Sequence, residues 1–473
     1  MRALERRIDP LLGVRRARPA GQRAVLAVAD RHGAEAARQI LRAGGNAVDA
    51  AVATGFALAV TLPRAGNLGG GGFMLVHLAE ADKTIAIDYR EMAPDEAHRD
   101  MFLDLEGDVD NNKARYSIES SGVPGTVAGL IHAQEKYGLL KLKQVMQPAI
   151  ALARGGFAVS ADLSDSLKSR SQRLQQDSAS KVYFYKPGGD SYELGETLIQ
   201  TELGATLARI ANGGREEFYQ GKTADLIVAQ MEASGGLISH QDLVNYQVVE
   251  RQPVCGDYKK TRVCTMPPPS SGGVHLVQML NILEGWDLKG LGHNSADYIH
   301  RLVESMRRAY ADRSLYLGDP DFFPVPVAQL TDKKYATVLR DQIDPLRSSR
   351  SVNIKPGLGE TGLSPQATKE STETTHFSTW DQWGNVVSNT YTLNFSYGSG
   401  ISVAGAGFLL NNEMDDFSSK PGAPNGYGLV GGIANAIEPG KRPLSSMTPT
   451  IAFNSEGKPI LATGSPGGST IIT

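Results

Sequence analysis

The chain has 473 residues, 41% of them hydrophobic, and 48 Lys and Arg against 51 Asp and Glu give a net charge of −3. That length supports a large core and about three domains, while the near-even charge balance excludes a polyanion-binding surface and with it a nucleic-acid partner. No run approaches the ~18 unbroken apolar residues that a membrane span requires, and two cysteines without CxxC or His-rich spacing call for no metal or other cofactor.

Residues 1–23 carry seven arginines and no apolar core longer than Pro10-Leu11-Leu12. They read as a basic tail and not as a secretory signal. Residues 33–43 have helical spacing and stop at Gly44-Gly45. Asn46 then caps a second helix, Ala47 to about Val60, whose small apolar residues suit close packing on a sheet. Gly69 to Gly72 follow. They are no phosphate loop, because no Gly-Lys-Ser/Thr follows and a strand, Phe73 to Leu78, stands where a helix would be needed. Glycines where a strand packs tightly on a neighbour fit better. A strand from Thr84 to Tyr89 leads into Arg90-Glu91-Met92-Ala93-Pro94. Pro124 to Tyr137, Val145 to Arg154, and regions 160–175 and 197–235 read as mainly helical. A turn at Lys259-Lys260 would set Cys255 and Cys264 opposite each other on a hairpin, where a disulfide can form. The spacing leaves that bond open; if made, it argues for an oxidising compartment. Pro267 to Gly273 is a rigid turn ahead of a helix, Val274 to Leu283, and residues 296–312 form another. Asp312, Asp319 and Asp321 lack EF-hand spacing and read as turn and cap residues.

Residues 351–373 are polar and rich in Ser, Thr, Gly and Pro, as in an exposed linker. Alternation then begins. Phe377 and Thr379 share one parity with Val387, Tyr391 and Leu393 beyond the turn; Thr374, His376 and Ser378 share the other with Ser388, Thr390, Thr392 and Asn394. This is a hairpin with an apolar and a polar face. Gly384 suits the left-handed position that closes a three-residue loop, Gln382-Trp383-Gly384. That register pairs Asp381 with Asn385 and sets Thr374 opposite Thr392. Loops of two or four residues would mix the faces. A polar strand face is ordinarily the solvent face, so the pattern alone gives Thr374 little claim to chemistry. Further on, Leu409 to Phe417 ends a strand in a cluster of acids, 421–440 is a long irregular loop of the kind used as a lid, and Thr463 to Gly468 opens a helix-like start. From the residues themselves the class is mixed α and β, with strands concentrated in the last quarter.

The strings TTH-x-S and G-N-x-V-x-x-T-x-T-L-N resemble the start of the small subunit of bacterial-type gamma-glutamyltransferases (glutathione hydrolases). GNLGGGGFM, YREMAP, PPPSSGG and YADRSxYLGDPDF extend the resemblance over most of the chain. Thr379 departs from the pattern, standing where an aliphatic residue is usual. The resemblance implies an α+β fold, the four-layer αββα sandwich of N-terminal-nucleophile hydrolases. It implies a basic tail 1–23, a large-subunit portion 24–373 and a small-subunit portion 374–473, the two portions forming one composite fold after autocatalytic cleavage between Glu373 and Thr374. A hydroxyl is a poor nucleophile without a base beside it. The freed α-amine of Thr374, titrating near ~8, supplies that base, and Thr392 orients it.

By resemblance, Gly467 and Gly468 are the oxyanion donors. Arg90, Ser445 and Ser446 hold the α-carboxylate, a task that suits a guanidinium fork. Asn394, Glu413 and Asp416 hold the α-ammonium, and Tyr427 gates the pocket. The implied substrates are glutathione and other gamma-glutamyl compounds, with water, amino acids or dipeptides as acceptors; the implied location is periplasmic or extracellular. A related acylase removing glutaryl side chains from β-lactams would keep Thr374 without needing Glu413 and Asp416. An unprocessed homologue acting as a binding protein is the other alternative. Relatives continue well beyond Gly468, whereas here only Ser469 to Thr473 follow. The expectation is therefore a fragment of a longer gene, with Gly467 and Gly468 on a fraying end, exposed sheet edges and little activity.

Overall fold

A computed structural model describes residues 24–359 and 374–472. The basic tail, most of the linker and Glu373 lie outside the described residues. Twelve strands are present among those described: β1 (Val25–Val28), β2 (Gly71–Leu78), β3 (Lys83–Tyr89), β4 (Phe157–Ala158), β5 (Thr197–Leu198), β6 (Val249–Arg251), β7 (Val254–Tyr258), β8 (Thr261–Thr265), β9 (Thr375–Trp380), β10 (Val386–Thr392), β11 (Thr450–Phe453) and β12 (Pro459–Thr463). Six form one antiparallel sheet in the order β1-β9-β10-β2-β3-β6, and four form a second, β12-β11-β8-β7. Helices Ala47–Thr61 and Thr126–Tyr137 cover the outer face of the first sheet, Gly272–Leu283 covers that of the second, and Ala296–Tyr316 packs on Gly272–Leu283. The result is the expected αββα sandwich. The strands are spread along the chain, however, and are not gathered in its last quarter.

Side-chain parity sorts the core into two layers. Met74 and Val76 of β2, with Phe377, Val387 and Tyr391 of the hairpin, pack toward the first helical layer. Phe73, Leu75 and Val386 meet Cys264, Met447, Ile451 and Phe453 between the sheets. Helix Ala47–Thr61 is buried at every residue, which its run of small side chains permits. Asn46 and Asp49 close its start as a capping box, and the Asp381 carboxylate accepts from the Ala47 N–H at 2.9 Å. The hairpin turn is thereby tied to the helix beneath it.

The glycine run does what its composition suggests. A Cβ on Gly70 would lie 2.0 Å from the Thr392 carbonyl oxygen, and one on Gly72 would lie 2.5 Å from Tyr391 Cβ. Gly70→Ala is therefore expected to cost about 3 kcal/mol, the upper end for overpacking, read as a lowered urea midpoint at unchanged slope. An unchanged midpoint would show that β10 yields freely at Thr392.

The hairpin register is as expected: Trp380 pairs with Val386 and Tyr391 with Thr375, the Asp381 N–H donates to the Asn385 carbonyl at 3.1 Å, and Gly384 has φ +91°. Its polar face is not the solvent face. It lies between the sheets, and its groups are satisfied there. His376 bonds Thr390 Oγ1 at 2.8 Å and Ser378 Oγ at 2.9 Å, while Ser388 Oγ donates to the Thr463 carbonyl at 3.0 Å. Cys255 and Cys264 pair across β7 and β8 and are disulfide-bonded. Helix Ala296–Tyr316 runs past the expected end at 312. Asp312 is thus no turn residue; it accepts from Gln278, Tyr335 and the Gly357 N–H inside the fold. Asp319 accepts from the Arg442 N–H, and Asp321 pairs with Arg251.

Candidate active site

Thr374 stands just before β9 with φ +128°, a value that a β-branched residue rarely adopts. Its Oγ1 is 3.2 Å from Thr392 Oγ1. Thr392 Oγ1 in turn accepts from the Asn394 N–H at 3.0 Å. Asn394 also has a positive φ, +74°, and its Nδ2 donates to the Asn412 carbonyl at 2.9 Å. These turns project Thr374, Thr392 and Asn394 into one small pocket. Arg90, Glu413, Asp416, Tyr427, Ser445, Ser446 and Gly468 line the same pocket. Of the sequence-derived site residues that the structure describes, Gly467 alone stands back from the lining. It adjoins Gly468 in chain and is buried, and its carbonyl accepts from Thr470.

Ser469 to Ile472 are seated in the fold and not frayed. Gly468–Ile472 makes a 3₁₀ turn with Ile471 and Ile472 buried. The anticipated bare edge is present at β12, where Ile460 is 53% and Leu461 50% exposed.

The charged groups sit closer together than the sequence implies. Arg90 is fully buried at the end of β3. Its guanidinium is bound to Glu413 by Nη1 and to Asp416 by Nη2, and Nε donates to the Pro443 carbonyl at 3.1 Å. The groups assigned to opposite ends of a substrate thus neutralise one another in the free pocket. Polar capacity is left over: Glu413 Oε2 and Ser446 Oγ are buried without a partner. Ser445 is held by backbone bonds to Pro269 and Ser271. Tyr427 OH donates to the Asn394 carbonyl at 2.8 Å, and its ring stacks on Phe395 at 4.8 Å. The 421–440 loop therefore closes over the pocket.

Four acids in or beside the pocket have unusual titration: burial raises Glu413 well above the carboxylate range and raises Asp416, with Arg90 pulling both back, and Asp415 and Glu91 lie beside them. Burial pushes Asp415 up to about 7, with Arg115 pulling back; it accepts from the Gly426 N–H at 2.9 Å. Burial likewise pushes Glu91 up to about 7, against the pull of Arg90 at 3.5 Å. Both oxygens of Glu91 lack hydrogen bonds. A carboxyl whose folded pKa exceeds its unfolded one holds a proton that the unfolded chain has lost. Its cost to folding therefore grows as pH rises from about 4.5 to about 7 and is constant above. Glu91→Gln is expected to gain stability over the parent across that window, by up to about 3 kcal/mol at pH 8, as read from urea midpoints. A gap that stays level from pH 5 to 8 would show that Glu91 is ionised throughout.

A family model described as "Gamma-glutamyltranspeptidase" matches residues 33–473. The chain belongs to the gamma-glutamyltranspeptidase family. A glutathione hydrolase proenzyme of Escherichia coli (strain K12) is 54% identical over 435 residues, 92% of this chain and 73% of that protein. The crystal structure of Helicobacter pylori gamma-glutamyltranspeptidase superposes with TM-score 0.69 at 45% identity, over 71% of this chain and 95% of that one. An acylase ACY 1 proenzyme of Pseudomonas sp. (strain SE83) is 38% identical over 438 residues, 91% of this chain and 74% of that protein.

In this member of the gamma-glutamyltranspeptidase family, Arg313 lines the pocket but was visible in the sequence only as part of the YADRS string. Glu91, beside the pocket, was visible only as the neighbour of Arg90. A buried arginine on a helix face has no local signature apart from an exposed one. Among the described residues, no helix is long and apolar enough to cross a membrane.

Proposed function

We propose that the chain cuts itself between Glu373 and Thr374, and that Thr374 then transfers gamma-glutamyl groups from glutathione and related compounds to water or to amino acid and peptide amines. The observation that carries this reading is Thr374 in a strained conformation, hydroxyl to hydroxyl with Thr392, in a pocket that also holds buried, unpartnered groups of both hydrogen-bonding senses. In the uncut chain, Thr374 Oγ1 attacks the Glu373 carbonyl carbon, the peptide nitrogen leaves as the α-amine, and water hydrolyses the ester. Cleavage removes the peptide torsion whose value is strained. In turnover the α-amine takes the hydroxyl proton as Oγ1 attacks the γ-carbonyl. The Gly467 and Gly468 N–H groups are assigned to the developing oxyanion, a donor pair worth roughly 3–4 kcal/mol per member. The proton passes to the departing amine, and the γ-glutamyl ester is released to water or to a second amine.

Arg90, Ser445 and Ser446 take the substrate carboxylate; Asn394, Glu413 and Asp416 take its ammonium. Supporting this division, Glu413 Oε2 and Ser446 Oγ, one atom from each group, are buried at the pocket without partners. The two acids also disfavour a glutaryl acyl group, which offers them no ammonium. Residues 24–373 fall in the large portion and residues 374–473 in the small portion. The Cys255–Cys264 disulfide supports a periplasmic or extracellular setting. The test is incubation with a gamma-glutamyl anilide: anilide release together with a glutamyl adduct on Thr374 is expected, and an adduct on any other residue would overturn the reading.

A further inference from the structure

Arg313 lies on helix Ala296–Tyr316, lines the same pocket and is 4% exposed. Its guanidinium makes a single hydrogen bond among the described residues, from Nε to Ser271 Oγ at 3.2 Å, and no described carboxylate lies within ion-pairing distance. Arg90 is the opposite case, with Nε, Nη1 and Nη2 all engaged by Pro443, Glu413 and Asp416. A buried guanidinium without an anion in contact is costly; burial lowers the pKa of Arg313, with Asp416 pulling back from beyond ion-pairing distance. The pocket thus contains one arginine that is matched within the protein and one that is not. The unmatched fork is the better receptor for an incoming anion.

We infer that Arg313 is a second carboxylate-binding residue of the pocket, contacting the α-carboxylate of the gamma-glutamyl group through its free Nη1 and Nη2. This rests on the gamma-glutamyl reading of the site. With Arg313 beside it, Arg90 keeps Glu413 and Asp416 in place for the ammonium while still meeting the carboxylate alongside Ser445 and Ser446. A purely structural role is the competing account: Ser271 also donates from N and Oγ to the Ser445 carbonyl, at 2.8 and 2.9 Å, so Arg313 could simply brace that turn.

Titration calorimetry with L-glutamate and with its α-carboxamide, isoglutamine, separates the two without requiring turnover. Arg313→Met is expected to weaken L-glutamate by about 20- to 100-fold, the range for a charge-assisted pair, and isoglutamine by less than about threefold. Equal weakening of both ligands assigns Arg313 to bracing and overturns the inference. So does a wild-type chain that binds neither ligand or does not prefer L-glutamate. If Arg313→Met does not fold, Arg313→Lys reads the same ratio: a point charge in place of the fork should narrow the preference about tenfold, and an unchanged preference overturns the inference. A wild-type chain that prefers L-glutamate but releases no anilide would sink the catalytic reading and leave this one standing.

Discussion

Thr374→Ala is expected to leave the chain whole and to abolish anilide release, by about 10⁴-fold or more, as removal of a covalent nucleophile does elsewhere. The parent, by contrast, should appear as two pieces on a denaturing gel, the smaller starting at Thr374 by N-terminal sequencing. The expectation follows from the double use of one atom. In the proposed mechanism Thr374 Oγ1 is the attacking group in both the self-cut and the turnover reaction, and the hydroxyl beside it, Thr392 Oγ1 at 3.2 Å, has no base of its own to replace it. Thr374→Ser keeps that oxygen and should still cut, more slowly. A smaller piece that begins at another residue would move the nucleophile away from Thr374, and the pocket assignment with it.

Arg90→Lys is expected to raise the KM for the anilide by well over tenfold and to cost about 3 kcal/mol of stability. The charge is conserved; the geometry is not. The guanidinium spans Glu413, Asp416 and the Pro443 carbonyl from three different nitrogens, and a single ammonium cannot reach all three. At least one buried carboxylate then loses its partner, which is the costly way to break such a group. The sequence suggests a fork aimed at the substrate. The structure makes it first the keystone of the acids that would hold the substrate's other end, so affinity and folding should fall together. Unchanged KM with unchanged stability would remove Arg90 from the site.

The hairpin was legible because its signals are local. Gly384 fixes the loop, parity fixes the faces, and together they set Thr374 against Thr392. The capped helix at Asn46 and the close-packed glycines were legible for the same reason. What covers the polar face was not, because β8, β11 and β12 come from stretches far away in sequence, and no period in residues 374–394 announces them. The mutual pairing of Arg90, Glu413 and Asp416 was hidden likewise: the strings name each residue, but not the distance between them. Asp312 reads as a helix end from its string, and becomes a buried acceptor only through Gln278 and Tyr335, which belong to other helices.

Strand order carries one more consequence. β9 and β10, which follow the Glu373–Thr374 bond, lie between β1 and β2, which precede it, and β11 is hydrogen-bonded to β8 in the same interleaved way. While the chain is continuous, every one of these pairings forms within one molecule, at a rate that does not depend on concentration. Once the bond is cut, the native arrangement survives, but reaching it again requires two separate pieces to meet. Refolding then becomes second order, and the high effective concentration that a covalent tether provides is gone. A matured molecule that unfolds in dilute solution has no first-order route home, so its working lifetime is set by how slowly it unfolds and not by its equilibrium stability.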